Sequence, residues 1–435
     1  MKNELPVAII GGGAVGLAAA AHLAWNQQPF ILFERGNSAG ANILNWGHVK
    51  VFSPWKYNID KAAEKLLLQT GWKSPDKESL HTGKEFYDAY IAPLADHPSI
   101  KPYVFTNSTV IGVTRKGMDK MKTKSREDQP FVIQVAQGET RKSFDARAII
   151  DASGTWHNGN PVGAAGLPSI GEEENSHKII YHIPDLTGKH KRRYKNRSIA
   201  VVGGGHSAIN TILELDKLKD EFPNTSIHWI LRKEKISEVY GGKEDDALPA
   251  RGALGIKIEQ LINNDRLSVY SPFQVEEIRK TENALTLIGW QYGEKKALEN
   301  IDEIISNTGA RPDYSFLREV RVDADSTVES VPGIADLIDP NQHSCGTVRA
   351  HGELELRQKE KDFYIVGMKS YGRAPTFLMA TGYEQVRSVV AALSGDWEAA
   401  RRVELNLPET GVCTSEGASP CCGAEPSNIK QKTCC

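Results

Sequence analysis

The sequence predicts an α/β protein built from two Rossmann-like dinucleotide-binding domains. Three observations carry that expectation. Val7–Ile10 is an apolar strand that runs into Gly11-Gly12-Gly13-Ala14-Val15-Gly16 and a small-residue helix. The pattern returns at Ser198–Val202, followed by Gly203-Gly204-Gly205-His206-Ser207-Ala208. Two buried-looking strands end in small-residue turns, Asp151-Ala152-Ser153-Gly154 and Asn307-Thr308-Gly309, where the chain would leave each domain.

In the first unit the glycines stand at G-x-G-x-x-G spacing. Gly11 permits the tight strand-to-helix turn, Gly13 lets backbone approach a pyrophosphate, and Gly16 lets helix and sheet pack closely. The helix start, at Ala14 and Val15, offers free N–H groups and a positive dipole end to phosphate. The next strand, Phe30–Phe33, ends in Glu34 and Arg35. An acid there can hold a ribose hydroxyl pair, which suits FAD. An ordinary glycine-rich turn is the bland alternative, and the full βαβ pattern outweighs it.

A loop follows, then Asn45–Trp55, which mixes aromatic residues, His48 and Gly47. In a flavin-binding Rossmann domain this stretch runs past the ring system; aromatic packing under a loop is the competing reading. Asp60–Leu68 has apolar residues at helical spacing, and Thr82 starts a second helix. Strands are expected at Val104-Phe105, Val110–Val113 and Phe131–Val135, with Lys116–Gln129 as a solvated, lysine-rich excursion.

The second unit fits G-x-G-x-x-A at Gly203, Gly205 and Ala208. Its second strand, Ile227–Leu231, ends in Arg232-Lys233 rather than an acid. Basic residues there can pair with a ribose 2′-phosphate, so this half is expected to prefer NADPH. Further strands are read at Leu267–Tyr270, Leu285–Leu287 and Ile301–Ile305. A late strand, Phe363–Met368, and a helix near Thr381–Leu393 complete the reading.

The expected domains are 1–185 with 310–405 for FAD, 190–309 for NADPH, and a tail at 406–435. The FAD side is read as Gly11, Gly13, Ala14, Val15, Gly16, Glu34, Arg35, Trp46, Val49, Val110, Ser153, Gly154 and Gly367. The NADPH side is read as Gly203, Gly205, His206, Ser207, Arg232, Lys233 and Gly309. His48, Lys369, Tyr371 and Arg373 are candidates to line the ring or steady negative charge there. Packing for His48, and phosphate neutralisation for Lys369 and Arg373, are the plainer readings.

Composition excludes little else. Charged residues make up 25% and net charge is −2, which argues for neither nucleic acid nor a membrane surface. With no signal peptide and no long apolar run, a cytoplasmic protein is expected. Two dinucleotide folds imply two cofactors, and the flavin carries the hard step. A disulfide reductase of this architecture would need a cysteine pair beside the flavin, and neither nucleotide-binding region has a cysteine.

Cys345 lies in the body, and Cys413, Cys421, Cys422, Cys434 and Cys435 lie at the C-terminus. Vicinal thiols suit trivalent arsenic or another thiophilic metal. Three readings of the tail stand together: thiophilic capture, a dithiol redox arm, and a zinc or copper site or no function.

The paired glycine motifs and the two exit turns resemble class B flavin-dependent monooxygenases and their thioredoxin-reductase-like relatives. Ile180–Asp185, with His182, occupies the place of the class's histidine-bearing segment without its full signature. A closer resemblance is to the flavin-dependent monooxygenases of bacterial arsenic-resistance operons. It rests on Trp46–Trp55, Asp151–Trp156, Lys369–Leu378, Thr381-Gly382-Tyr383-Glu384-Gln385 and the cysteine-pair tail, and it spans essentially the whole chain. Met368 stands where an acid usually follows the late glycine. The resemblance implies FAD- and NADPH-dependent oxidation, with O₂, of trivalent inorganic or methylated arsenic to the pentavalent state. Oxygenation of nitrogen or sulfur in a small organic substrate, and a non-catalytic thiol sink, remain the alternatives.

Overall fold

The computed structural model describes residues 4–341, 348–375 and 377–405. Its strands, in chain order, are β1 (Val7–Ile10), β2 (Phe30–Phe33), β3 (Val104–Phe105), β4 (Thr109–Arg115), β5 (Phe131–Gln137), β6 (Thr140–Ala146), β7 (Ala148–Asp151) and β8 (Ile179–Ile180). They continue as β9 (Ser198–Val202), β10 (Ser226–Ile230), β11 (Ser268–Tyr270), β12 (Gln274–Lys280), β13 (Leu285–Gln291), β14 (Glu294–Ile301), β15 (Glu303–Ser306) and β16 (Phe363–Ile365).

Two five-stranded parallel sheets organise the molecule, in the orders β16-β7-β1-β2-β3 and β11-β10-β9-β15-β8. Each carries a three-stranded antiparallel meander, β4-β5-β6 or β12-β13-β14. Each meander enters the chain just before the strand that pairs with the sheet's first glycine-linked strand. The two halves therefore share one plan, and the sequence's Rossmann-like α/β architecture is what the chain adopts.

The plan follows from the residues. Central strands such as β1 and β7 are buried throughout, as parallel strands covered on both faces must be. Helix Ala14–Trp25 is rich in alanine because it is enclosed between sheet and helix Met379–Leu393. A Cβ on Gly16 would lie 1.9 Å from the Gly11 carbonyl oxygen, and one on Gly382 would lie 2.6 Å from Val15. Helix Lys61–Leu68 is capped by Asp60, whose side chain accepts from the Ala63 N–H. Three large apolar clusters result, one at the first sheet and one on each face of the second, with a small fourth at Ala391, Ala392 and Ala400.

The first sheet is completed by β16, which arrives only after the whole second unit. The two connecting segments lie side by side. Asn160 N donates to Gly309 O at 2.9 Å, and Arg311 N to Asn158 O at 2.9 Å. The second sheet also takes in β8, so it begins ahead of the expected start at 190.

Some elements differ from the sequence reading. Strands β6, β12 and β14 and helix Pro249–Asn263 were not expected; the three strands are largely solvent-facing and carry little apolar alternation. Lys116–Gln129 is not wholly solvated. Its Arg126 is buried and pairs with Glu360, which also takes the side chain of Arg115. Among the described residues no helix is long and apolar enough to cross a membrane.

Candidate functional site

The end read as the FAD site forms where β1, β2, β7 and β16 finish. Gly11 holds φ +100°, and a Cβ there would meet the Ala152 carbonyl at 2.6 Å. Gly13 differs: a Cβ on it would meet nothing within 4 Å. The turn is thus closed on its sheet side and open where a pyrophosphate would run. The Glu34 carboxylate is buried and accepts from Gly12 N at 2.7 Å and Gly36 N at 2.6 Å. Each carboxylate oxygen retains a lone pair for a ribose hydroxyl. Arg35 beside it is exposed.

Ser153 bonds back to Asp151, from its hydroxyl at 2.6 Å and its N–H at 3.1 Å. Gly154, at φ +67°, faces open space. Gly367 packs against Val15, and its N–H donates to the Gln385 side chain at 2.7 Å. Gln385 in turn donates to Ser370 and to His351 Nε2, both at 2.9 Å. Burial pushes the His351 imidazole below its ordinary pKa, which keeps it a neutral acceptor. Helix Met379–Leu393 begins here without a side-chain cap, and its Thr381 N–H turns back to Leu378 O at 3.0 Å. These features fit FAD.

Gly11, Val15, Gly16, Glu34, Ser153 and Gly367 come together. Ala14 is buried at the helix start, and Val110 is buried in β4 behind Glu34's loop. Trp46 packs over Gly83, and Val49 accepts the Gly83 N–H at 2.9 Å. Both hold the aromatic segment in place.

The end read as the NADPH site repeats the scheme. Gly203, at φ +130°, would put a Cβ 2.2 Å from Asn307 O, whereas Gly205 faces open space. Helix His206–Glu221 starts uncapped by any side chain, with His206 and Ser207 exposed. Arg232 and Lys233 line a cavity of about 620 Å³. Gly309 is exposed and lies against Asn160 in the linker pair. These features fit NADPH.

Two groups join the halves. Phe52 lies 5.5 Å from the His206 ring and takes the Arg251 guanidinium at 5.8 Å. Arg251 is buried on Asp246 through bonds of 2.7 and 2.8 Å. Trp156 stacks on His182 at 4.0 Å and 8°. Burial first, then His157, lowers the His182 pKa. Phe52 and His182 stood in singled-out segments; nothing in the sequence marked Arg251.

The four catalytic candidates have separate surroundings. Lys369 is fully buried on Asp151 at 2.7 Å, beneath Ser153 at 3.2 Å and against the Phe316 ring at 4.5 Å. It holds the turn and is not open to a ring. Tyr371 is buried edge-on to Phe377, and burial raises its hydroxyl pKa well above the ordinary value. Arg373 is exposed, with its N–H bonded to Val328 O. His48 is half-buried with Nε2 lacking a hydrogen-bond partner, near Asp185 and His190. Cys345, Cys413, Cys421, Cys422, Cys434 and Cys435 lie outside the described residues.

A family model described as pyridine nucleotide-disulphide oxidoreductase matches residues 8–332. The chain belongs to that family. As a pyridine nucleotide-disulphide oxidoreductase family member it is an oxidoreductase. No curated protein sequence matches it. Among solved structures it is similar to the bacillithiol disulfide reductase Bdr (YpdA) of Bacillus cereus, at 20% identity and TM-score 0.66, over 90% of this chain and 99% of that one. It is also similar to the FAD-bound cadaverine monooxygenase DfoA of Erwinia amylovora, at 13% identity and TM-score 0.63, over 93% and 99%. A third is the ornithine N-hydroxylase of Kutzneria sp. 744 with reduced FAD, NADP⁺ and ornithine, at 15% and 0.59, over 91% and 98%. Disulfide reductases and monooxygenases thus share this fold. Within the family, this member has no cysteine in residues 1–344.

Proposed function

We propose that the chain is an FAD- and NADPH-dependent monooxygenase that oxidises trivalent arsenicals, inorganic or methylated, to their pentavalent forms. The observation that carries this reading is the cysteine distribution. Both glycine-motif units lack a cysteine, so no dithiol stands in either to pass electrons to a disulfide. The vicinal pairs Cys421-Cys422 and Cys434-Cys435 supply the soft ligands that trivalent arsenic prefers. The balanced reaction is As(OH)₃ + NADPH + H⁺ + O₂ → AsO(OH)₃ + NADP⁺ + H₂O.

FAD, when bound, would supply the redox chemistry between NADPH and dioxygen. The chain's part is positional. Gly13 and the start of helix Ala14–Trp25 take the flavin pyrophosphate, and Glu34 takes the ribose. The Asp151–Lys369 pair and the Gln385 network fix the two turns on either side. The uncapped start of helix Met379–Leu393 offers partial positive charge. Half-buried Phe377, Leu378 and Met379 restrict water beside it. The tail thiols capture arsenic(III) and raise its local concentration.

The test is turnover by the FAD-loaded full chain, with NADPH, O₂ and arsenic species followed together. One NADPH and one O₂ per pentavalent product, with arsenite or methylarsenite, are expected. NADPH loss indifferent to either arsenical would overturn the reading. Stoichiometric arsenic binding without turnover would assign the thiol sink instead.

A further inference from the structure

The cavity beside Arg232 and Lys233 has a third wall that the dinucleotide fold does not supply. Its floor is segment 163–169 of the connection leaving the first unit, and its far side is the antiparallel meander, through Gln274, Glu276 and Trp290. Trp290 is 42% exposed. A large aromatic left on a sheet's solvent face, lining one cavity with two cations, is a ligand platform in waiting. Its neighbours hold it in place. Lys295 stands 5.9 Å from its ring centroid and bonds Glu276 at 3.0 Å. Arg232 is tethered to the cavity floor by a 2.9 Å bond from Nη1 to Ala164 O. A guanidinium carries five N–H donors, so this anchor sets its direction and leaves capacity for a phosphate. Lys233 rests on Glu238 at 3.4 Å, an exposed pair that solvent screens and a phosphate can replace.

We propose that Trp290 is the adenine platform of the NADPH site, and that its groove with Arg232 and Lys233 selects adenosine 2′-phosphate. This rests on the NADPH reading of the second unit and adds to it a specificity residue from outside the βαβ fold. The chemistry on the page selects that occupant. Two cations follow β10, where the ribose of a dinucleotide lies. Trp290, a flat ring of matching size, lines the same cavity. Gln274 lines the same cavity and carries an amide that suits a base edge. About 620 Å³ is within the usual range for a nucleotide-sized ligand.

The experiment is calorimetric titration of the FAD-loaded full chain with adenosine 2′,5′-bisphosphate and with 5′-AMP, with tryptophan fluorescence read alongside. Wild type is expected to favour the bisphosphate. Trp290→Ala should weaken both nucleotides about 10-fold or more, as loss of a base–aromatic stack does, and should remove the fluorescence response. Trp290→Phe should restore most of the affinity. Arg232→Ala should weaken the bisphosphate alone. If Trp290→Ala binds like wild type while Arg232→Ala loses the bisphosphate, the platform is refuted and the NADPH reading stands. If wild type binds the two nucleotides equally and Arg232→Ala changes neither, the NADPH reading itself falls.

Discussion

Lys369→Met isolates the role of the buried pair beneath the flavin turn. Lys369 and Asp151 are both fully buried and 2.7 Å apart. Removing the lysine strands the Asp151 Oδ2 oxygen, while Oδ1 keeps its two bonds from Ser153. Breaking a buried pair from one side costs about 3–5 kcal/mol. At roughly 2 °C per kcal/mol for a domain of this size, the melting temperature should fall by about 6–10 °C. The double variant Asp151→Asn, Lys369→Met removes the stranded charge and should recover more than half of the loss. Both are read by thermal and urea unfolding, and FAD affinity by flavin fluorescence. The double variant should also rebind FAD, because the lysine acts through the turn. A single variant that melts within about 1 °C of wild type would refute the reasoning. A double variant that is stable yet unable to take FAD would return Lys369 to a direct cofactor contact.

Gly13→Ala should leave the fold intact, since its Cβ meets only open space, but lower FAD affinity at least about 10-fold; Gly16→Ala, with 1.9 Å to a carbonyl, should fail to fold. Circular dichroism and flavin retention separate the two, and equal behaviour would contradict the pyrophosphate assignment. Arg232→Ala with Lys233→Ala should raise the KM for NADPH about 10–100-fold and leave NADH unchanged, as loss of charged hydrogen bonds predicts; steady-state kinetics decides. Burial alone would raise the Glu360 carboxyl pKa, but hydrogen bonds from Arg126 and Arg115 bring it below 4.5. A lowered carboxylate stabilises the fold fully above pH 4.5 and loses that contribution as pH falls through the lower value. Glu360→Gln should therefore be less stable at neutral pH and show a flatter stability profile below pH 4.5, measured by urea midpoints.

The nucleotide-binding halves were legible because their signals are local. Gly11 and Gly203 need left-handed backbone, and Gly16 needs a missing Cβ, whatever the rest of the chain does. Strands β6 and β14 were not legible because packing on one neighbour, not apolar alternation, makes them strands. Thr140–Ser143 are all exposed, and β14 buries only Leu298 and Ile301. The site's supports join distant positions. Lys369 meets Asp151 across 218 residues, and Gln385 meets His351 across 34. No spacing rule marks such pairs. Trp290 escaped for a similar reason, since the cavity it lines is completed by a linker and a strand end that sequence does not place together.

The late arrival of β16 has a consequence for biosynthesis. Its partner β7 ends at Asp151 and β16 starts at Phe363, so 363 − 151 = 212 positions separate them. At about 5–20 residues per second, a ribosome needs roughly 10–40 s to cover that distance. During this interval one edge of the first sheet is bare, and the turn carrying Gly367 has not been made. The second unit is complete by β15 and can close first. The first sheet therefore closes only after the chain has passed β16 and the turn carrying Gly367.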